Sequence, residues 1–423
     1  MNFWLTLQNG IALGLALIQA PATAILLSRL SKGPTRRPPI EAQTPTPDLM
    51  GAVSVVVPTL NEAERISPCL AGLSRQSYEV REIIVVDSNS QDGTPELVKA
   101  AGQKDPRFRL ITDDPLPPGW VGRPWALHNG FLHSSEQSDW ILGIDADTQP
   151  SPGLVAGLVK VAESEGYDLV SLSPRFILKY PGEWWLQPAL LLTLVYRFGP
   201  AGDTTQTPER VMANGQCFLC RRSVLSHIGG YTSARASFCD DVTLARNAAA
   251  AGFKVGFLDG ARVLKVRMYE GAKETWNEWG RSLDLKDASS KGQLWSDLWL
   301  LLAVQGLPLP ASVILLSWLI LGNSSAPVVA AVTLNLFLLA IRVLLLLALA
   351  PSYEGKSISS LGLDTRHPLN SGDRGKRNNP FEFLLLPAYF YLSPLADPLA
   401  WARILLSALG TPTQWRGRRY SQK

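Results

Sequence analysis

Residues 140–148 read Trp-Ile-Leu-Gly-Ile-Asp-Ala-Asp-Thr, an apolar run that ends in two acids. Ile141, Leu142 and Ile144 favour a buried strand. In extended chain, residues two apart share a face, so Asp145 and Asp147 project together from the strand's carboxyl end. Two carboxylates on one face repel unless something cationic lies between them. Mg²⁺ suits such a place, because it takes one or two carboxylates and completes its shell with substrate phosphates. An isolated Asp-Ala-Asp is also an ordinary solvated turn, so the rest of the chain decides.

Upstream, strands and helices alternate. Val53–Val57 is a buried strand broken by Pro58-Thr59-Leu60-Asn61-Glu62, where Asn61 and Glu64 suit the cap of a helix running to about Arg75. Glu82–Asp87 is a second strand; Asp92-Gly93 turns, Thr94 caps and Pro95 takes the first helical position. Arg107–Ile111 reads as a short strand and Arg123–Leu132 as a helix. Continuous apolar strands alternating with helices predict an α/β domain with a mostly parallel, Rossmann-like sheet covered on both faces. Ligands bind such sheets beyond the carboxyl ends of the strands. Pro58-Thr59, Asp87 and Asp145–Asp147 all fall there. Downstream, Gln216–Leu219 and Lys254–Leu258 read as further strands. Between them Cys239-Asp240-Asp241 opens a helix over 242–251, a second carboxylate pair that could serve as a cap or as chemistry.

The 423 residues exceed one such domain. Apolar residues make up 46% and charged ones 18%, a mixture too charged for an all-membrane protein and too apolar for a wholly soluble enzyme. The net charge of +4, with no basic stripe among aromatics, excludes nucleic acid as the expected partner. Of four cysteines, Cys217 and Cys220 form a lone Cys-x-x-Cys, read as buried thiols of a strand rather than a zinc site.

Residues 1–28 carry no charge, and Ile11–Leu27 is long enough with its flanks to cross a bilayer. Ala22-Thr23-Ala24 resembles a cleavage site, but the run continues past it and no cation precedes it. Residues 1–30 are therefore expected to form a transmembrane helix and 31–51 a linker. Arg29, Lys32, Arg36 and Arg37 predict that the domain that follows, 52–290, lies in the cytoplasm of a multi-pass membrane protein. Within it, 177–200 carries Trp184-Trp185 ahead of Leu186–Val195 and reads as an interfacial helix, with a buried core helix as the alternative. Leu298–Leu321 and Pro327–Ala350, within 294–350, read as two spans. The loop 351–380 is basic and predicted cytoplasmic. Residues 381–423 hold an apolar but Pro-broken stretch, read as re-entrant in preference to spanning, and a basic tail.

Five pieces stand in order: Val-Val-Val-Pro-Thr-Leu-Asn-Glu (55–62), Val-Val-Asp-Ser-Asn-Ser-Gln-Asp-Gly-Thr (85–94), Gly-Arg-Pro-Trp-Ala-Leu-His-Asn-Gly (122–130), Asp-Ala-Asp (145–147) and Cys-Asp-Asp (239–241). Together they resemble family 2 glycosyltransferases with the GT-A fold, over roughly residues 52–285. The resemblance implies that Pro58, Glu62, Asp87 and Arg123 line a nucleotide-sugar pocket, with Asp92 supporting its loop. It implies that Asp145 contacts nucleotide or metal, that Asp147 binds a divalent Mg²⁺ or Mn²⁺, and that Asp241 is the catalytic base with Asp240 beside it. Chemistry agrees. A diphosphate leaving group calls for a divalent cation, and an attacking hydroxyl calls for a general base. One base opposite the leaving group implies inversion at the anomeric carbon.

Pro-Pro-Gly-Trp-Val-Gly-Arg-Pro-Trp-Ala (117–126), Arg267-Met268-Tyr269 and Trp415–Tyr420 are similar to membrane-bound members, above all carotenoid 2'-O-glycosyltransferases. That implies a lipid acceptor from the bilayer, a hydroxylated carotenoid, with ceramide, diacylglycerol or hopanoid as alternatives. Where chain-extending polysaccharide synthases carry Gln-x-x-Arg-Trp, this sequence has Glu278-Trp-Gly-Arg281-Ser282, which speaks against polymer extrusion and leaves Arg281 as a candidate diphosphate contact. A non-catalytic partner subunit is the remaining reading, disfavoured by the intact acids.

Overall fold

In the computed structural model, residues 2–202, 207–280, 283–355, 386–410, 414–415 and 418–419 are described. Arg281 and the basic residues Lys356, Arg366, Arg374, Lys376 and Arg377 lie outside them.

The central sheet has seven strands. In chain order these are β1 (Val53–Thr59), β2 (Val80–Asp87), β3 (Phe108–Thr112), β4 (Trp140–Ile144), β6 (Leu169–Ser173), β8 (Cys217–Arg221) and β9 (Val255–Asp259). They are arranged β3-β2-β1-β4-β8-β6-β9, with only β8 antiparallel to its neighbours. Three short strands, β5 (Thr148–Pro150), β7 (Arg175–Phe176) and β10 (Leu264–Val266), form a second sheet at its edge. The mostly parallel α/β architecture expected from the sequence is present. The strands are apolar without alternation because both faces are covered. Val55, Val57, Ile83, Val85 and Leu142 enter one core, and Val56, Ile84, Val86 and Ile141 the other. Cys217 joins the first core and Cys220 the second, so the Cys-x-x-Cys pair is split across the sheet, and all four cysteines are free and buried.

The covering helices are α2 (Ser67–Ser74), α3 (Thr94–Lys104), α4 (Gly122–Leu132), α5 (Leu154–Glu165), α7 (Arg222–His227) and α8 (Asp240–Ala250). One boundary differs from the sequence expectation. α2 begins at Ser67, because Asn61 stands in the left-handed region at φ 54° and its side-chain oxygen accepts from Gln91 N at 2.9 Å, so it shapes a loop and caps no helix.

Helix α6 (Pro181–Phe198) corrects a second expectation. It does not lie open on a surface. Leu186, Ala189, Leu190 and Leu192 are buried against Ala22 and Leu26 of α1 (Asn2–Leu30) and against Ala396, Ala400 and Ile404. Trp184 packs with Phe176, Tyr353 and Phe390. The double Trp therefore marks a core helix wedged between the sheet domain and the apolar helices.

A short α9 (Gly271–Glu274) runs into a π-helical turn, Thr275–Trp279. Beyond it, the expected span Leu298–Leu321 is instead a broken helix. α10 (Lys291–Leu301) runs into a π-helical turn, Leu302–Gly306, and α11 (Pro308–Ile320) leaves at a 48° bend. Pro308 lacks the amide that would continue the ladder. α12 (Ala326–Leu349) is straight and apolar, and α13 (Ala388–Tyr391) and α14 (Asp397–Leu409) follow. Among the described residues, two helices, α1 and α12, are long and apolar enough to cross a membrane, or three if the bent pair counts as one. α14 has 13 residues, about 20 Å at the helical rise and short of a ~30 Å hydrocarbon core. Outward-facing Leu13, Leu17, Ile314, Ile320, Phe337 and Leu344 are all at least 45% exposed, so these helices carry apolar side chains on their outer faces. Within this bundle Gln19 donates to Asn335 Oδ1 at 2.9 Å, and Arg342 Nε donates to Asp397 Oδ2 at 2.7 Å.

Candidate active site

The topology gathers the carboxyl ends of β1, β2, β4 and β6 on one edge. Because β8 is antiparallel, its amino end, preceded by Asn214-Gly215-Gln216, meets them there. The loops after β1 and β2 are knitted together by side chains. Asp87 accepts from Thr59 Oγ1 at 3.1 Å and from the hydroxyl and amide of Ser90 at 2.6 and 2.9 Å. Asp92 accepts from Thr94 Oγ1 at 2.6 Å and Ala63 N at 2.8 Å; those bonds hold its carboxyl below the usual range although its partial desolvation opposes them. The Thr94 hydroxyl accepts from Glu62 N at 2.9 Å. Pro58, Thr59, Glu62 and Ser88 thus form one rigid wall of a narrow cleft, and Arg123, Asp145 and Asp147 form the other.

Arg123 is the hub. Its Nε and Nη2 donate to Asp145 Oδ1 at 3.0 and 2.9 Å, its Nη1 donates to Asp240 Oδ2, and Nη2 also reaches Gly215 O at 2.8 Å. The cation that two clustered acids demand is supplied for Asp145 and Asp240 by the protein itself. Gly215 permits this, since a Cβ built there would overlap the guanidinium. Arg123 still borders the cleft, but its donors are committed to the two acids.

Asp240 and Asp241 open α8. Asp240 is buried; Asp241 is half-buried and accepts from Val242 N at 2.8 Å and Gly215 N at 2.6 Å. Burial raises both carboxyls. Asp240 is pushed up to about 7, with the charges of Asp241 and Asp145 adding to burial and Arg123 opposing it. Asp241 is raised by burial and by Asp145 against Arg123 and its two amide donors. The two titrate as a coupled pair rather than separately.

A cavity of about 200 Å³ adjoins these acids. Arg123, Asp145, Asp147, Asp240 and Asp241 line it together with apolar Leu191 and Leu194 of α6, Phe176 and Leu285. Asp145, Asp147 and Arg123 border both this cavity and the cleft, so the two are continuous at the acids. Arg267 N donates to Asp147 O at 3.1 Å, and the Arg267 guanidinium makes a two-pronged buried pair with Glu183 at 2.6 and 2.9 Å.

The sequence-chosen Asp145, Asp147, Arg123, Asp240 and Asp241 meet around one cavity; Pro58 and Glu62 line the adjoining cleft, while Asp87 and Asp92 stand behind it as loop braces. Sequence reasoning missed Gly215 and Leu285. A glycine just ahead of a strand was the available signal for the first; the second carries no motif.

As to metal, the donor set is two carboxylates at one strand end, and no cluster of three or more His, Cys, Asp or Glu suited to an ion exists among the described residues. That fits a cation such as Mg²⁺, which draws its other ligands from water and phosphate.

A mostly parallel α/β sheet with convergent acids at its carboxyl edge defines an α/β domain with its ligand site at that edge. Residues 54–229 match the family model "Glycosyl transferase family 2", so the chain carries a family 2 glycosyltransferase domain, as the motifs implied. A 4,4'-diaponeurosporenoate glycosyltransferase of Staphylococcus haemolyticus is 26% identical over 245 residues, 57% of this chain and 63% of that one. An undecaprenyl-phosphate 4-deoxy-4-formamido-L-arabinose transferase of Yersinia pestis is 35% identical over 126 residues, 28% of this chain and 35% of that one. The match thus spans less than two thirds of each of these relatives. A solved mannosyltransferase from Pyrobaculum calidifontis, in complex with GDP-Man and Mn²⁺, aligns at 19% identity over 95% of this chain and 98% of its own, with a TM-score of 0.49.

Proposed function

We propose that the chain transfers one sugar from a nucleotide-sugar donor to a hydroxyl of a membrane lipid, a hydroxylated carotenoid or similar isoprenoid, with inversion at the anomeric carbon. The observation that carries the reading is the cavity's mixed lining, acids and apolar side chains around one space. Its acids adjoin the donor cleft, while its apolar wall is built by α6, whose other side packs on α1 and α14. A relative that glycosylates diaponeurosporenoate supports a carotenoid-type acceptor. The candidate spans and the basic residues after α1 support a multi-pass membrane protein with its catalytic domain in the cytoplasm.

In this reading Pro58, Glu62 and Ser88 receive the nucleotide, while Asp87 and Asp92 keep their loops in place. Asp145 and Asp147 would hold Mg²⁺ or Mn²⁺, which when bound neutralises the departing diphosphate. Asp241, set among the apolar acceptor wall and raised by burial, accepts the proton of the attacking hydroxyl. Asp240 and Arg123 hold α8 in register with the donor acids. Arg281 would lie outside the described residues and is proposed as a diphosphate contact.

The test is transfer of a labelled sugar into the lipid phase by membranes containing the full chain. Wild type should label a lipid and Asp241→Asn should not. Label recovered only in water-soluble or polymeric product would refute the acceptor.

A further inference from the structure

We propose that Leu285 is the specificity-determining residue of the acceptor site, setting how bulky the hydrocarbon next to the reacting hydroxyl can be. The proposal rests on the lipid-acceptor reading above. Leu285 is 5% exposed and borders the cavity that Asp241 faces. It packs with Cys239 and Val242, the residues that flank the Asp240–Asp241 pair, and with Leu194 and Met212. Leu285 thus stands on the cavity lining beside the Asp240–Asp241 pair, where it would meet the carbons next to a hydroxyl held at Asp241.

The backbone makes the placement unusual. Leu285 stands at φ 56°, a left-handed conformation that branched L side chains rarely adopt. The segment around it is held there from several elements. Arg197 Nη2 donates to Leu283 O, and Arg197 Nη1 to Asp284 O at 3.4 Å. Lys286 Nζ donates to Ser407 O, at the end of α14, at 3.0 Å. Asp287 accepts from Phe238 N at 2.8 Å, and Arg246 donates to Ala288 O at 2.6 Å. Glycine would occupy φ 56° without strain, so local conformation does not ask for leucine. What leucine adds is bulk on the cavity lining, delivered at a fixed depth by a segment anchored to α6, α8 and the last apolar helix.

The test compares Leu285→Gly and Leu285→Ala with wild type, as full-length chain in detergent, on two probe alcohols: linear n-hexadecanol and ring-ended cholesterol. The readout is the ratio of kcat/KM for the two, which does not depend on the folded fraction. Shaving a few methyl groups from an apolar pocket typically changes discrimination by 10-fold or more, so both variants should shift the ratio about tenfold or more toward the ring-ended alcohol. An unchanged ratio in an active variant overturns the assignment. Loss of both alcohols in both variants, with the far-ultraviolet spectrum intact, also overturns it, because Leu285 would then be structural. A wild-type chain that glycosylates no lipid alcohol would sink the acceptor reading itself, and this one with it.

Discussion

At the scale of single residues, Arg123 organises the site by pairing with Asp145 and Asp240 at once, while half-buried Asp241 is held by the Val242 and Gly215 amides. Asp241→Asn keeps the shape and removes the proton acceptor, so turnover should fall by about 10²–10⁴-fold with little change in donor affinity. Lost donor binding with normal turnover at saturation would make Asp241 a nucleotide ligand instead. The pH dependence follows from the sign of the shift. A base works deprotonated, and burial raises its pKa above the usual carboxylate value of about 4, so rate should fall as pH drops through that raised value. Asp240→Asn removes a neighbouring negative charge and frees Arg123, and both effects move the acid limb to lower pH; a limb that stays or rises contradicts the pairing. Gly215→Ala should cost transfer too, because the methyl displaces the guanidinium. For metal, chelation or Asp147→Ala should abolish transfer, with added Mn²⁺ restoring only the chelated wild type. Full activity in chelator would remove the ion from the scheme.

At the scale of elements, the strands were legible because residues buried on both faces write themselves as continuous apolar runs, and Asp87, Asp145 and Asp147 because they end or directly follow such runs. Asp145 and Asp147 needed only their spacing. The role of α6 was not legible. Trp184 and Leu186–Val195 have the same composition whether they face headgroups or a protein core, and only the partners decide. The partners, Ala22, Leu26 and Ile404, lie far away in sequence. The break at Pro308 was likewise hidden inside an apolar run long enough to span. Glu183 shows what secures α6: besides Arg267 it accepts from Lys179 N at 2.7 Å and Gly271 N at 2.7 Å, and those bonds hold its carboxyl below the usual range although burial opposes them. Removing one partner of a buried pair costs about 3–5 kcal/mol. Arg267→Met should therefore lower the melting midpoint of the purified chain clearly, since it leaves the Glu183 carboxylate buried without its guanidinium. A melting curve like that of wild type would mean that the pair is replaceable.

At the scale of the whole molecule, the catalytic cavity and the apolar helices share one wall. α6 presents Leu191 and Leu194 to the cavity and Ala189 and Leu190 to the helices. The Arg342–Asp397 pair ties α14 to α12, and Lys286 ties the end of α14 to the segment that carries Leu285. A carotenoid is hydrocarbon with a hydroxyl near one end, which suits a cavity lined by both acids and apolar side chains. The central claim is tested most directly by expressing the full chain in a host that makes hydroxylated carotenoids and measuring the masses of its extracted lipids. The expected result is a carotenoid carrying one hexose or deoxyhexose increment, absent with Asp241→Asn. Unchanged carotenoids beside a newly glycosylated sterol, diacylglycerol or hopanoid would contradict the carotenoid acceptor, and a soluble or polymeric product would contradict the lipid acceptor altogether.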